Sequence, residues 1–282
     1  MHRFILCLTA TLALPTGAFA KCATEAEIAA FVAAASTNTP AKALAAGGSM
    51  DDALCTQDKL VAAMAPTMGR VIGYKAGLTS KPAQDRFGVS EPVQGVLYEN
   101  MMVEDGATVP VAFGAIPMVE SDLVLKVGST DINSAQTPLD VLSAISSVHP
   151  FIELPDMTLA KGEPINAVTL TAIGVAPKLG VLGAGIPVTD AAAMTDALSS
   201  MSVTLTNGAG EDVTTAPGKA VLGHPANAVL WLVSKGIALQ EGDLVSVGSF
   251  GPLTPAAKMK GGASVTYQGL PGDPTVSVTF SD

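Results

Sequence analysis

The run Val119-Glu120-Ser121-Asp122-Leu123-Val124-Leu125-Lys126-Val127 restricts the fold of this chain more tightly than any composition figure does. It has no glycine or proline, and it alternates as a strand does, so residues two apart point to one face. Val119, Ser121, Leu123, Leu125 and Val127 therefore share one face, and Glu120, Asp122, Val124 and Lys126 share the other. Two carboxylates at that spacing, inside an apolar stretch, repel each other and lose hydration. A cation between them removes both costs. Exposed acids on an edge strand are the alternative.

Around this run the texture is β-rich. From residue 70 onward, short β-branched runs alternate with Gly and Pro turns, at 70–77, 167–173, 202–206, 244–247, 263–267 and 275–280. Helical patterns interrupt them at 138–147 and 226–239. The part before Pro66 reads as helical. Thr24-x-x-Glu27 and Ser49-x-x-Asp52 are capping-box patterns that open Ala-rich segments. The expected class is α+β: a helical segment over 21–68, then a mostly β body over 69–282. Only 14% of the chain is charged and it holds 28 Gly and 19 Pro, which suits a compact body with many turns.

Residues 1–20 read as a secretory signal peptide. His2 and Arg3 precede an apolar stretch over 4–14, Pro15-Thr16-Gly17 breaks it, and Ala18-Phe19-Ala20 fits a cleavage site. An exported protein follows, most simply periplasmic, with no membrane contact once the signal is cut. Cys7 leaves with the signal. Cys22 and Cys55 remain, and in an oxidising compartment they can form one disulfide of roughly 3–4 kcal/mol by chain entropy. Two unpaired thiols are the alternative. The formal net charge of −10, with no basic patch, argues against a nucleic-acid partner.

Four places carry candidate chemistry. Glu120, Asp122 and Glu153 (in Pro150-Phe151-Ile152-Glu153-Leu154-Pro155) form an all-oxygen donor set suited to Mg²⁺ or Mn²⁺. Exposed acids on a strand and a loop would explain them equally well. Lys75, in Gly73-Tyr74-Lys75-Ala76-Gly77-Leu78, sits at a strand end where its charge can stabilise an enolate or carboxylate. A surface lysine is the alternative. Gly223-His224-Pro225 opens a helix, with His224 either a general base or structural. The turn Val247-Gly248-Ser249-Phe250-Gly251-Pro252 can cradle a carboxylate through backbone N–H groups. A plain hairpin is its alternative.

Taken in order, these pieces resemble the fumarylacetoacetate hydrolase superfamily, and within it the 2-keto-4-pentenoate hydratase and 4-oxalocrotonate decarboxylase branch. The resemblance covers about residues 69–282. It rests on Lys75, Gly77, Leu78, Thr79 and Ser80, then Glu120 and Asp122, then Glu153, then Gly223, His224, Pro225, Asn227 and Ala228, and finally Gly248, Gly251 and Pro252. It implies a mixed-sheet roll in which Glu120, Asp122 and Glu153 hold Mg²⁺ or Mn²⁺. It implies Lys75 as the catalytic cation, with Leu78, Ser249 and Gly251 against a small 2-oxo acid, and a homo-oligomer.

The chain also departs from that pattern. The second acid of the strand is usually glutamate, and Asp122 is one methylene shorter. Met118 replaces an expected arginine and Gln94 an expected aspartate. Residues 169–174 read Thr-Leu-Thr-Ala-Ile-Gly where a polar stretch is expected. Three functions remain open: a hydratase of 2-hydroxydienoic acids, a decarboxylase of the same branch, or a non-catalytic exported oxo-acid-binding protein. A C–C hydrolase of the superfamily is disfavoured, because no histidine lies between His2 and His149.

Overall fold

A computed structural model describes residues 22–282; the signal peptide expected over 1–20 lies outside them. The chain opens with helices α1 (Glu25–Ser36) and α2 (Met50–Met68). Each starts where the sequence places a cap. Thr24 Oγ1 accepts from Glu27 N–H while the Glu27 carboxylate accepts from Thr24 N–H, and Ser49 and Asp52 repeat the exchange. A disulfide joins Cys22 to Cys55, tying the start of the described chain to α2.

The strands then follow. They are β1 (Val71–Gly77), β2 (Val93–Tyr98), β3 (Met102–Glu104), β4 (Thr108–Pro110) and β5 (Met118–Val127). Next come β6 (Ile145–Leu154), β7 (Leu179–Leu182), β8 (Ile186–Pro187), β9 (Ser202–Asn207) and β10 (Asp212–Pro217). The last are β11 (Leu244–Ser246), β12 (Thr254–Pro255), β13 (Gly262–Gln268) and β14 (Thr275–Ser281). Between them lie α3 (Lys81–Phe87), α4 (Pro138–Ser143), α5 (Ala167–Ala172), α6 (Ala191–Ser200) and α7 (Asn227–Ser234). One curled mixed sheet runs β2-β1-β11-β5-β6-β7-β3, with β12 added to β5 and β8 to β6; a second runs β10-β9-β13-β14-β4.

The two faces of β5 have different fates. Val119, Leu123, Leu125 and Val127 point into the main core, with Ile152, Val245, Val265 and Tyr267. Val124 points the other way, into a smaller cluster with Phe151, Leu244, Leu97 and Met101. A third cluster packs α1 and α2 against Leu159, Ala172, Ile173 and Ala176. The helical segment thus covers the acid-bearing side of the large sheet.

Three sequence expectations fail here. The strand expected over 167–173 is instead α5, Ala167–Ala172, with Ile173 as its cap. The Asn166 side chain accepts from Thr169 N–H, and this cap outweighs the β-propensity of Val168, Thr169 and Thr171. The helix expected over 138–147 stops at Ser143, because residues from Ile145 are taken up by β6. The helix expected over 226–239 stops at Ser234, and Gly236 follows at φ +87°.

Candidate active site

Four adjacent strands, β1, β11, β5 and β6, put the candidate residues on one wall. Lys75 lies opposite Ser246, Ser246 opposite Val124, and Glu120 opposite Glu153. Alternation then aims Lys75, Ser246, Asp122, Glu120 and Glu153 to the same side. Glu153 is therefore a central-strand residue and not part of a loop. All of these polar groups are buried; Asp122 is 0% exposed, Glu153 1% and Lys75 2%.

Lys75 Nζ donates to Glu153 Oε1 and to the Val175 carbonyl at 2.9 Å. Asp122 is held differently. Its Oδ1 accepts from Gly248 N–H at 2.9 Å and Leu123 N–H at 2.6 Å, and its Oδ2 accepts from Ser246 Oγ. Burial, followed by repulsion from Glu153, pushes the carboxyls of Glu120 and Asp122 well above the usual carboxylate range. Three buried carboxylates face one buried ammonium, so the site carries a surplus of negative charge when ionised. An all-oxygen donor set with that surplus fits a hard divalent cation. The groups are not drawn into a ready cage: among the described residues no three Asp, Glu, His or Cys side chains come together as an ion would require. Lys75 holds Glu153, and the 246–248 segment holds Asp122.

The wall facing Lys75 is built from strained backbone. Gly174, Val175 and Ala176 all have positive φ, at +67°, +61° and +56°. Such a conformation costs a non-glycine residue about 1–2 kcal/mol, more for a β-branched one. Gln57 of α2 holds this region, donating through Nε2 to the carbonyls of Thr171 and Gln94. Gly95 lets the segment approach, since a Cβ there would lie 2.2 Å from the Gly174 carbonyl oxygen. Gly95→Ala is therefore expected to push Val175 off Lys75, lowering the melting temperature by several degrees and turnover at least tenfold. Thermal melts and an activity assay check both.

The remaining expectations divide. Leu78, at φ +56°, directly follows the Lys75 strand. The 248–251 turn is close by, and three of its N–H groups are engaged within the protein. Gly248 N–H goes to Asp122, Phe250 N–H to the Ser121 carbonyl, and Gly251 N–H to Ser249 Oγ. Ser249 Oγ donates back to the Gly251 carbonyl. Thr79 Oγ1, packed near Gly248, is buried without a hydrogen-bond partner. His224 is structural: Nδ1 accepts from Ala226 N–H and Nε2 lies 3.0 Å from the Thr195 carbonyl. Ser246 and Val175 were not singled out from sequence. Ser246 alone left a trace there, as a hydroxyl inside an otherwise aliphatic strand.

No family model matches the chain. Curated relatives do. A 2-hydroxyhexa-2,4-dienoate hydratase from Comamonas testosteroni is 35% identical over 194 residues, covering 67% of this chain and 71% of the relative. The chain belongs to the 2-keto-4-pentenoate hydratase branch of the fumarylacetoacetate hydrolase superfamily. A 2-keto-4-pentenoate hydratase from Burkholderia vietnamiensis, of the same branch, is 32% identical over 218 residues, 76% of this chain and 79% of its own. The branch fold is matched by 4-oxalocrotonate decarboxylase from Pseudomonas putida G7, complexed with magnesium and adipate. Its TM-score is 0.74 at 21% identity, covering 91% of this chain and 96% of that one. Fumarylpyruvate hydrolase from Pseudomonas aeruginosa, in complex with Mn²⁺ and pyruvate, has a TM-score of 0.54 at 18% identity over 73% of this chain and 88% of its own.

Proposed function

We propose that this protein is a divalent-metal-dependent hydro-lyase that adds water to a short 2-hydroxydienoic acid of the 2-keto-4-pentenoate type. The carrying observation is the buried set of Glu120, Asp122 and Glu153 beside Lys75, in a chain whose curated relatives are hydratases. Glu120, Asp122 and Glu153 would hold Mg²⁺ or Mn²⁺. Bound there, the ion would supply Lewis-acid polarisation of the 2-oxo group. Lys75 is the buried cation beside these acids, placed to neutralise charge developing on a substrate oxygen or to move a proton. The surrounding sheet and helices bury these side chains, so each of their charges acts at low dielectric. Export is part of the same proposal, supported by the leader-like residues 1–20 and the Cys22–Cys55 bond.

A second reading, binding of a 2-oxo acid without turnover, is favoured by one observation: both Asp122 oxygens are already engaged by protein donors. One experiment separates the two. The purified protein is titrated with Mn²⁺ and then given 2-hydroxypenta-2,4-dienoate while the diene absorbance is followed. Hydration requires metal-dependent loss of that absorbance. Mn²⁺-dependent binding of pyruvate or oxalate with no loss of absorbance selects the binding protein.

A further inference from the structure

Tyr267, on β13 of the second sheet, is fully buried, and its ring belongs to the core between the sheets. Its hydroxyl does not stay in that core. It reaches the backbone of the first sheet at the pair Asp122–Phe151, two steps along the β5–β6 ladder from the Glu120–Glu153 pair, with Ser121–Ile152 between them. Phe151 N–H donates to Tyr267 Oη at 3.0 Å. Tyr267 Oη in turn donates to the Asp122 carbonyl, with the Phe151 carbonyl 2.9 Å away as an alternative acceptor. Burial holds the phenol protonated far above neutrality, so it remains a donor.

A hydroxyl that bridges two strands at one ladder step sets the distance between them there. Paired side chains on an antiparallel ladder sit about 4.5–5.5 Å apart at Cβ, and that spacing follows the backbone. Asp122 projects from the bridged pair itself, and Glu120 and Glu153 from the next pair on the same face, two residues along. We infer that Tyr267 is a positioning residue: from the opposite sheet, its hydroxyl fixes the spacing of Glu120, Asp122 and Glu153. It touches no substrate. The inference rests on the metal-site reading proposed above.

The test uses Mn²⁺ affinity of the purified protein, read by the electron spin resonance of free Mn²⁺, together with thermal melts. Tyr267→Phe keeps the ring and loses the bridge. It is expected to melt within a few degrees of the wild type and to bind Mn²⁺ at least tenfold more weakly. Val265→Ala, two residues earlier on the same face of β13, loosens the same core without approaching the acids. It is expected to melt lower and yet bind Mn²⁺ within twofold of the wild type. Tyr267→Phe binding as tightly as the wild type overturns the inference, as does Val265→Ala weakening Mn²⁺ equally. A Tyr267→Phe chain that does not fold also overturns it, since the hydroxyl would then hold the fold and not the spacing. A wild-type chain that binds no Mn²⁺ overturns the metal site and the inference together, which sets that failure apart from the others.

Discussion

Lys75→Met is expected to lower hydration by at least about 100-fold and to destabilise the metal-free protein by about 3 kcal/mol. The stability loss comes from Glu153. Its Oε1 accepts from Lys75 Nζ, and both side chains are almost completely buried. Removing the ammonium leaves a carboxylate that must stay charged in a dry site or take up a proton. The Val175 carbonyl also loses its donor, so the strain in the 174–176 segment loses one of its compensations. The double variant Lys75→Met/Glu153→Gln separates the two effects. It removes the orphaned charge, so urea melts should show most of the lost stability recovered. Activity should stay at least as low as in the single variant, because the cation and one proposed metal ligand are then both missing. Recovery of activity in the double variant would show that Lys75 serves only to satisfy Glu153 and that Glu153 is not a required metal ligand.

Glu120→Gln is expected to stabilise the metal-free protein at pH 8 by on the order of 2 kcal/mol, contrary to the usual sign for a buried substitution. Burial and then Glu153 raise the folded-state pKa of Glu120 from 4.5 to about 8. The folded state thus holds a proton that the unfolded chain has released. Its contribution to stability is complete below about pH 4.5 and is lost as pH rises through about 8. Melts in chelator from pH 5 to pH 9 should therefore fall steadily for the wild type and less for Glu120→Gln. Saturating Mn²⁺ should reverse the wild-type slope, since the ion takes the place of the proton. A Glu120→Gln protein with the wild-type slope would show that this carboxyl is not the one under strain.

Much of this arrangement was legible in the sequence, for identifiable physical reasons. Strict alternation assigned the faces of β5, and the two capping boxes marked the starts of α1 and α2. Both signals are local, so tertiary contacts had little to override. The error at 167–173 has the opposite cause. Two β-branched threonines and a valine suggested a strand, but the deciding group was the Asn166 side chain just outside the run. The partnership of Lys75 and Glu153 spans 78 residues, and no local pattern pairs them. It is visible only in the fold; the family resemblance gives each residue a role but does not pair them. The partners of Gly248 and Phe250 N–H were hidden for a related reason: which N–H groups a turn spends depends on what packs beside it.

The alternation in β5 and β6 has one further consequence, for assembly. The acids and the core aliphatics occupy opposite faces of the same two strands. A pairing slip of one residue would exchange the faces. It would drive Glu120, Asp122 or Glu153 into the apolar interior and turn Leu123 or Ile152 toward the site. Each displaced carboxylate would cost several kcal/mol, more than a marginally stable domain tolerates. The residues that give the protein its chemistry therefore also proofread its folding, and a misregistered molecule is eliminated before it can be a defective enzyme.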